Sequence, residues 1–210
     1  MATAKQLSNT LHDTTEVVAG GENMKFGMWL FLASEVMFFT SLIGGSLTIR
    51  RVSARWPEPG TILNVPLTSL NTFILIVSSV TVVMALASIQ ENNIRRFRMF
   101  LIATLALGLT FLGIQAVEYT KLLGEGLNMR DAITHGGITY PATYGSTFFI
   151  QTGFHGMHVF AGAIWLSIVL FKSFRGVYTR EDYLGVELFG LYWHFVDLVW
   201  IILFTIVYLI

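Results

Sequence analysis

Five stretches of the chain are apolar over lengths that a water-soluble fold has no use for: about 26–49, 66–89, 99–117, 144–171 and 188–210. A helix needs about 20 consecutive apolar residues to cross the hydrocarbon core of a bilayer, and each stretch reaches or nears that length. The first is interrupted only by Glu35, and the second carries no charge at all. In lipid no water satisfies open backbone groups, so apolar runs of this length read as helices. The expected fold is all-α: a polytopic membrane protein with five transmembrane helices in a bundle. The membrane domain takes residues 24–210 and follows a polar N-terminal tail of residues 1–23.

Composition agrees with this reading. Only 12% of the residues are charged, about half the usual ~25% of a soluble domain. The formal net charge is zero, which gives no reason to expect a nucleic-acid partner. With no cysteine, the chain cannot form disulfides, thiolate-ligated zinc sites, iron–sulfur clusters or a cysteine nucleophile. Residues 1–23 contain no apolar h-region, so a signal peptide is not expected there. The first helix then serves as an uncleaved anchor.

Lys and Arg in the loops set the orientation. One side carries eight, Lys5, Lys25, Arg95, Arg96, Arg98, Lys172, Arg175 and Arg180, and the other five, Arg50, Arg51, Arg55, Lys121 and Arg130. The excess places the N-terminus inside and, after an odd number of spans, the C-terminus outside. The connection at 90–98 is short and basic, as an antiparallel helix pair requires. The outer connection at 122–143 is the longest and holds Gly124, Gly126, Gly136, Gly137 and Pro141. Trp56-Pro57-Glu58-Pro59-Gly60 forms a rigid, turn-rich stretch with an aromatic suited to the interface.

Titratable groups at bilayer depth are costly and mark positions to explain. Glu35 lies ten residues into the first segment, roughly 4 Å from its midpoint at 1.5 Å per residue. It can serve a proton relay, contact a lipid headgroup, or stay protonated and donate one hydrogen bond between helices. His155 and His158 are three apart and share a face of the fourth segment, as His194 and Asp197 do in the fifth. Two histidines with carboxylates can hold a metal, and a pair from different helices can ligate haem. No segment carries the Glu-x-x-His motif of di-iron bundles, however. Interhelical hydrogen bonding, His to Asp or His to Glu, is the preferred reading. Gly153, Gly156, Ala161, Gly162 and Ala163 let the fourth helix approach its neighbours closely. Gln115, Glu118 and Tyr119 end the third segment on the outer side, where Glu118 can reach water. No nucleophile–base pair, phosphate loop or dinucleotide motif is present.

These residues carry a resemblance. Ser34-Glu35-Val36-Met37-Phe38-Phe39, Val65-Pro66-Leu67 with Asn71-Thr72, and Gln115-Ala116-Val117-Glu118-Tyr119 occur in order. They are followed by Tyr144-Gly-Ser-Thr-Phe-Phe, Thr152-Gly-Phe-His-Gly-Met-His-Val159 and Tyr192-Trp-His-Phe-Val-Asp-Leu-Val-Trp200. Together they resemble the cytochrome c oxidase subunit III family of the haem–copper oxidases, over nearly all the chain beyond the tail. Longer members have seven helices, so the resemblance is to the short, five-helix bacterial form. The cleft bounded by the first two helices in the long form would here be open, or closed by helices of another subunit.

The resemblance implies a non-redox subunit with no catalytic, cofactor-binding or metal-binding residue of its own. Haem and copper are expected in partner subunits, and bound phospholipid in this one. The implied partners are oxidase subunit I, in direct contact, subunit II and a small subunit IV, in a bacterial inner membrane. Subunit I would perform four-electron reduction of oxygen with proton pumping. Glu35 matches the family's carbodiimide-reactive carboxylate and is the proton- or lipid-interaction candidate. His155, His158, His194, Asp197 and Glu118 are expected to be buried polar residues with structural roles. The alternatives are an accessory protein of a nitric oxide reductase system and a proton-conducting membrane protein.

Overall fold

The computed structural model describes residues 4–58 and 60–210, with side chains from Gly21 onward. Helix α1 runs Ala4–Val52, α2 Val65–Gln90, α3 Ile94–Gly124, α4 Ala142–Phe174 and α5 Leu184–Phe204; a π-helical turn, Thr205–Leu209, follows. Between α3 and α4 lies a two-stranded hairpin of β1 (Ile133–His135) and β2 (Ile138–Tyr140). Five helices are long and apolar enough to cross a membrane, as the sequence predicts, over Gly21–Val52, Val65–Gln90, Ile94–Gly124, Ala142–Phe174 and Leu184–Leu209. The polar stretch expected as a tail is already helical from Ala4, and the side chains of residues 1–20 lie outside the described residues.

Two compact units divide the chain at Phe38 and Phe39, within α1. In the first, Met28 and Leu32 are buried while Phe26, Trp29, Leu30 and Met37 are exposed, as lipid contact allows. The second holds the rest of α1, the four remaining helices and the hairpin. Here α2 packs on α3, α3 on α4 and α4 on α5, and α5 returns to α2.

Local sequence sets the helix ends. Asn64 caps α2 by accepting the Leu67 N–H at 3.1 Å, and Pro66 follows in the first turn, where a missing N–H costs nothing. Asn92, at φ 59°, takes the left-handed conformation that ends α2, and Asn93 caps α3 by accepting from Arg96 N–H at 3.1 Å. The glycine-rich connection between α3 and α4 is not structureless. Gly136 and Gly137, at φ 60° and 79°, supply the two positive-φ positions of a tight hairpin turn and pair His135 with Ile138. Gly145 of α4 passes so close to this connection that an added Cβ would collide with the Asn128 carbonyl.

The core is held by one large side chain reaching several helices. Trp193 of α5 lies against Gly108 of α3 and Gly162 of α4, where added Cβ atoms would come within 2.8 and 2.9 Å of its ring. Its indole N–H donates to Ser78 Oγ of α2 at 3.0 Å. Two small residues make room for the ring, and a hydroxyl in a span without charge takes its polar edge.

Candidate functional site

The interior carries a layered set of polar side chains. Near the C-terminal end of α3, Glu118 does not reach water; it is only 5% exposed. The Thr68 hydroxyl of α2 donates to Oε1 at 3.0 Å and the Tyr208 hydroxyl to Oε2 at 3.1 Å. The π-helical turn changes the helical phase before Tyr208, which is buried against Phe148 and Phe204. Asn64 O of its own helix, also 3.0 Å away, shares the single Thr68 hydroxyl proton. One turn deeper on α3, Gln115 donates to the Thr152 carbonyl of α4 at 3.0 Å, and the Tyr119 and Thr152 hydroxyls pair at 2.6 Å.

His155 is fully buried on α4. Its ring stacks on Trp200 with centroids 4.8 Å apart and meets Phe111 edge-on at 5.9 Å. Among the described residues neither ring nitrogen has a hydrogen-bond partner. Trp200 donates instead to Thr72 Oγ1 of α2 at 2.9 Å. His158 Nδ1 donates to the Phe154 carbonyl one turn back at 2.7 Å, which puts the proton of a neutral ring on Nδ1. Its own carbonyl accepts from the Tyr192 hydroxyl at 2.9 Å, and its ring lies 5.0 Å from that of Phe39.

The fifth helix departs from expectation. His194 pairs through Nδ1 with Ser79 Oγ of α2 at 2.5 Å. Asp197, three residues on and 5% exposed, has no hydrogen bond to either carboxylate oxygen among the described residues. The His-to-Asp bonding predicted for the interior therefore does not form at His155, His194 or Asp197. A serine hydroxyl of α2 and the indole face of Trp200 take those places. Glu35 lies half-buried in α1, in the span with the smallest buried share.

His155 faces an indole, the Nδ1 of His158 is held by its own helix, and His194 is engaged by Ser79. Among the described residues no three His, Asp or Glu side chains gather closely enough to hold an ion. At the C-terminal end of α1, Arg50 donates to the Ile210 carbonyl beside a cavity of about 20 Å³ lined in part by Trp56, Tyr144 and Gln151.

Sequence reasoning misses Thr68, Thr72, Ser78 and Ser79, the hydroxyls of α2 that take up the polar groups of α3 and α5. Thr68 and Thr72 lie one helical turn apart and Ser79 two turns further on, with Ser78 beside it; that spacing is the available signal, hidden because the span carries no charge. It also misses Tyr208, whose position depends on the π-helical turn.

Fold and interior together define a polytopic helical membrane protein whose buried polar side chains join helix to helix. The chain belongs to the cytochrome c oxidase subunit III family: that family's sequence profile matches residues 5–210. It is 36% identical over 184 residues to cytochrome c oxidase subunit 3 of Thermostichus vulcanus, covering 87% of this chain and 85% of the relative. The human subunit 3 is 35% identical over 206 residues, covering 94% and 72% respectively. That of Artemia franciscana is 38% identical over 193 residues, covering 90% and 69%.

Proposed function

We propose that this chain is the non-redox third subunit of a proton-pumping haem–copper terminal oxidase, in direct contact with subunit I. The family match over residues 5–210 carries this reading. The buried polar network supports it, since its tryptophan, tyrosine and glutamine groups are occupied in bonding helices rather than arranged around a reacting group. In this reading the chain binds phospholipid and keeps proton uptake and the active site of subunit I stable during oxygen reduction. Subunit II and a small subunit IV complete the complex. The membrane is a bacterial inner membrane, with the N-terminus cytoplasmic, in line with eight basic loop residues against five.

Glu35 is the proton- or lipid-interaction residue, and the buried histidines, Asp197 and Glu118 have structural roles. Purification of the chain from its own membranes tests the assignment. Subunits I and II should accompany it, with a haem spectrum that belongs to subunit I. Recovery alone, or with a nitric oxide reductase subunit, overturns it. Glu35→Gln keeps shape and hydrogen bonding but removes ionisation, so the complex should assemble and still reduce oxygen. Complete loss of oxygen reduction in an assembled, haem-loaded complex would overturn a merely supporting role for Glu35.

A further inference from the structure

Where the last turns of α1 meet α4 and the π-helical turn, the cavity of about 20 Å³ has a mixed wall. Ser46 and Arg50 come from α1, one turn apart, and Tyr144, Phe148 and Gln151 share a face of α4. Apolar side chains close the rest, Ile206 of the π-helical turn among them. Empty cavities in proteins are apolar, whereas a polar one of this size has room for at least one water.

The polar groups of this wall are mostly unengaged. Tyr144 is 5% exposed, and its hydroxyl enters no hydrogen bond among the described residues. Neither does the Ser46 hydroxyl. Helical serines often turn back to the carbonyl four residues earlier, as Ser69 does at Val65 O. For Ser46 that carbonyl belongs to Leu42, and it already accepts from Gln151 Nε2 at 3.4 Å. The same bond orients the Gln151 amide and leaves Oε1 over, buried and with no partner among the described residues. Buried acceptors are nearly always paired. Arg50 Nη2 donates to the Ile210 carbonyl, which leaves most of the N–H donors of its guanidinium.

These groups select their occupant by chemistry. Gln151 Oε1 only accepts, so an anion cannot donate to it, and the Arg50 guanidinium only donates and repels a cation. Water does both, and its two to four polar partners are present on this wall. We propose that the cavity is a binding site for ordered water, which accepts from Arg50 and donates to Gln151 Oε1, with the Ser46 and Tyr144 hydroxyls completing its bonds. The direct bond from Gln151 to Leu42 is long, so bridging water carries part of the join between α1 and α4. The site does not rest on the oxidase reading.

X-ray radiolytic footprinting of the purified full chain, with any subunits that accompany it, tests this. Hydroxyl radicals form where water sits, so a buried side chain beside bound water is oxidised although bulk solvent does not reach it. Tyr192 is the internal reference: it is also 5% exposed, but its hydroxyl donates directly to the His158 carbonyl at 2.9 Å. Tyr144 should be oxidised at least about threefold faster than Tyr192. Gln151→Leu removes the acceptor and should bring Tyr144 down to the Tyr192 rate. Ser46→Val, which fills part of the cavity, should do the same and decides the matter if Gln151→Leu fails to fold. Equal rates in the unaltered chain overturn the proposal, as does fast oxidation of Tyr144 that survives the deciding variant in full. A rate at Tyr144 that falls when chloride is added would mark an anion at Arg50 and overturn the water assignment.

Discussion

Glu118 and Asp197 are buried to the same extent, each 5% exposed within a membrane span, but their surroundings differ. Glu118 is met from two directions by hydroxyl donors, Thr68 from α2 and Tyr208 from beyond α5. Asp197 has no donor on either oxygen among the described residues, and the nearby Ser79 hydroxyl is engaged by His194. Burial alone therefore does not reveal what a carboxylate does in this bundle. Glu118 is part of what joins α2, α3 and the turn after α5, whereas Asp197 is carried by a helix already held by Trp193 and Trp200. Removing the first should be expensive and removing the second should not.

The largest effect should come from Glu118→Ala. The substitution leaves a cavity and strands the Tyr208 hydroxyl, which is 1% exposed, whereas Thr68 keeps its bond to Asn64 O. An unsatisfied buried donor costs about 1–3 kcal/mol and the lost packing adds to that, so about 3 kcal/mol of stability should go. Urea or thermal unfolding of the full chain in detergent measures it. Glu118→Gln retains one acceptor and should recover most of the loss. If Ala and Gln behave alike, the hydroxyl bonds are not what distinguishes the Glu118 end.

Trp200→Phe should cost about 2 kcal/mol, by removing the bond to Thr72 and much of the surface stacked on His155. His155→Leu should cost less, about 1 kcal/mol, because only ring stacking is lost. The sequence alone predicts that this substitution strands a hydrogen-bond partner. With no partner at either ring nitrogen among the described residues, nothing there is stranded. The two variants, unfolded side by side, sharpen the comparison. A larger loss for His155→Leu than for Trp200→Phe would place the missing bonds at the histidine after all.

The five spans and the residues of the polar interior are legible because both follow from counting apolar and titratable residues along the chain. Who bonds to whom is not. Thr68, Thr72, Ser78 and Ser79 lie in a segment that reads as uniformly apolar, yet they accept or donate to four groups on other elements. Ser and Thr also satisfy themselves on their own helix, as Thr72 does at Thr68 O. A sequence therefore gives no sign of which hydroxyl will turn outward to a neighbour. Tyr208 is hidden for another reason: the π-helical turn alters the helical phase before it. The hairpin around Gly136 and Gly137 does have a signal, paired glycines between β-branched residues, but strands of three residues are too short to show an alternating pattern.

Asp197→Asn is the smallest expected effect and tests the comparison most directly. The substitution keeps the volume and replaces a carboxyl group that no donor serves among the described residues. A buried carboxyl group without partners contributes no hydrogen bond that the amide would lose. The unfolding free energy of the isolated chain should therefore change by less than about 1 kcal/mol. Ser79 enters the argument here, because its hydroxyl is already engaged by His194 at 2.5 Å. If that hydroxyl instead served Asp197, Ser79→Ala and Asp197→Asn would each destabilise, and the double variant would cost no more than either alone. Additive, small effects keep Asp197 as the unpartnered counterpart of Glu118. A shared loss of about 2 kcal/mol or more would give Asp197 a donor and remove the difference between the two carboxylates.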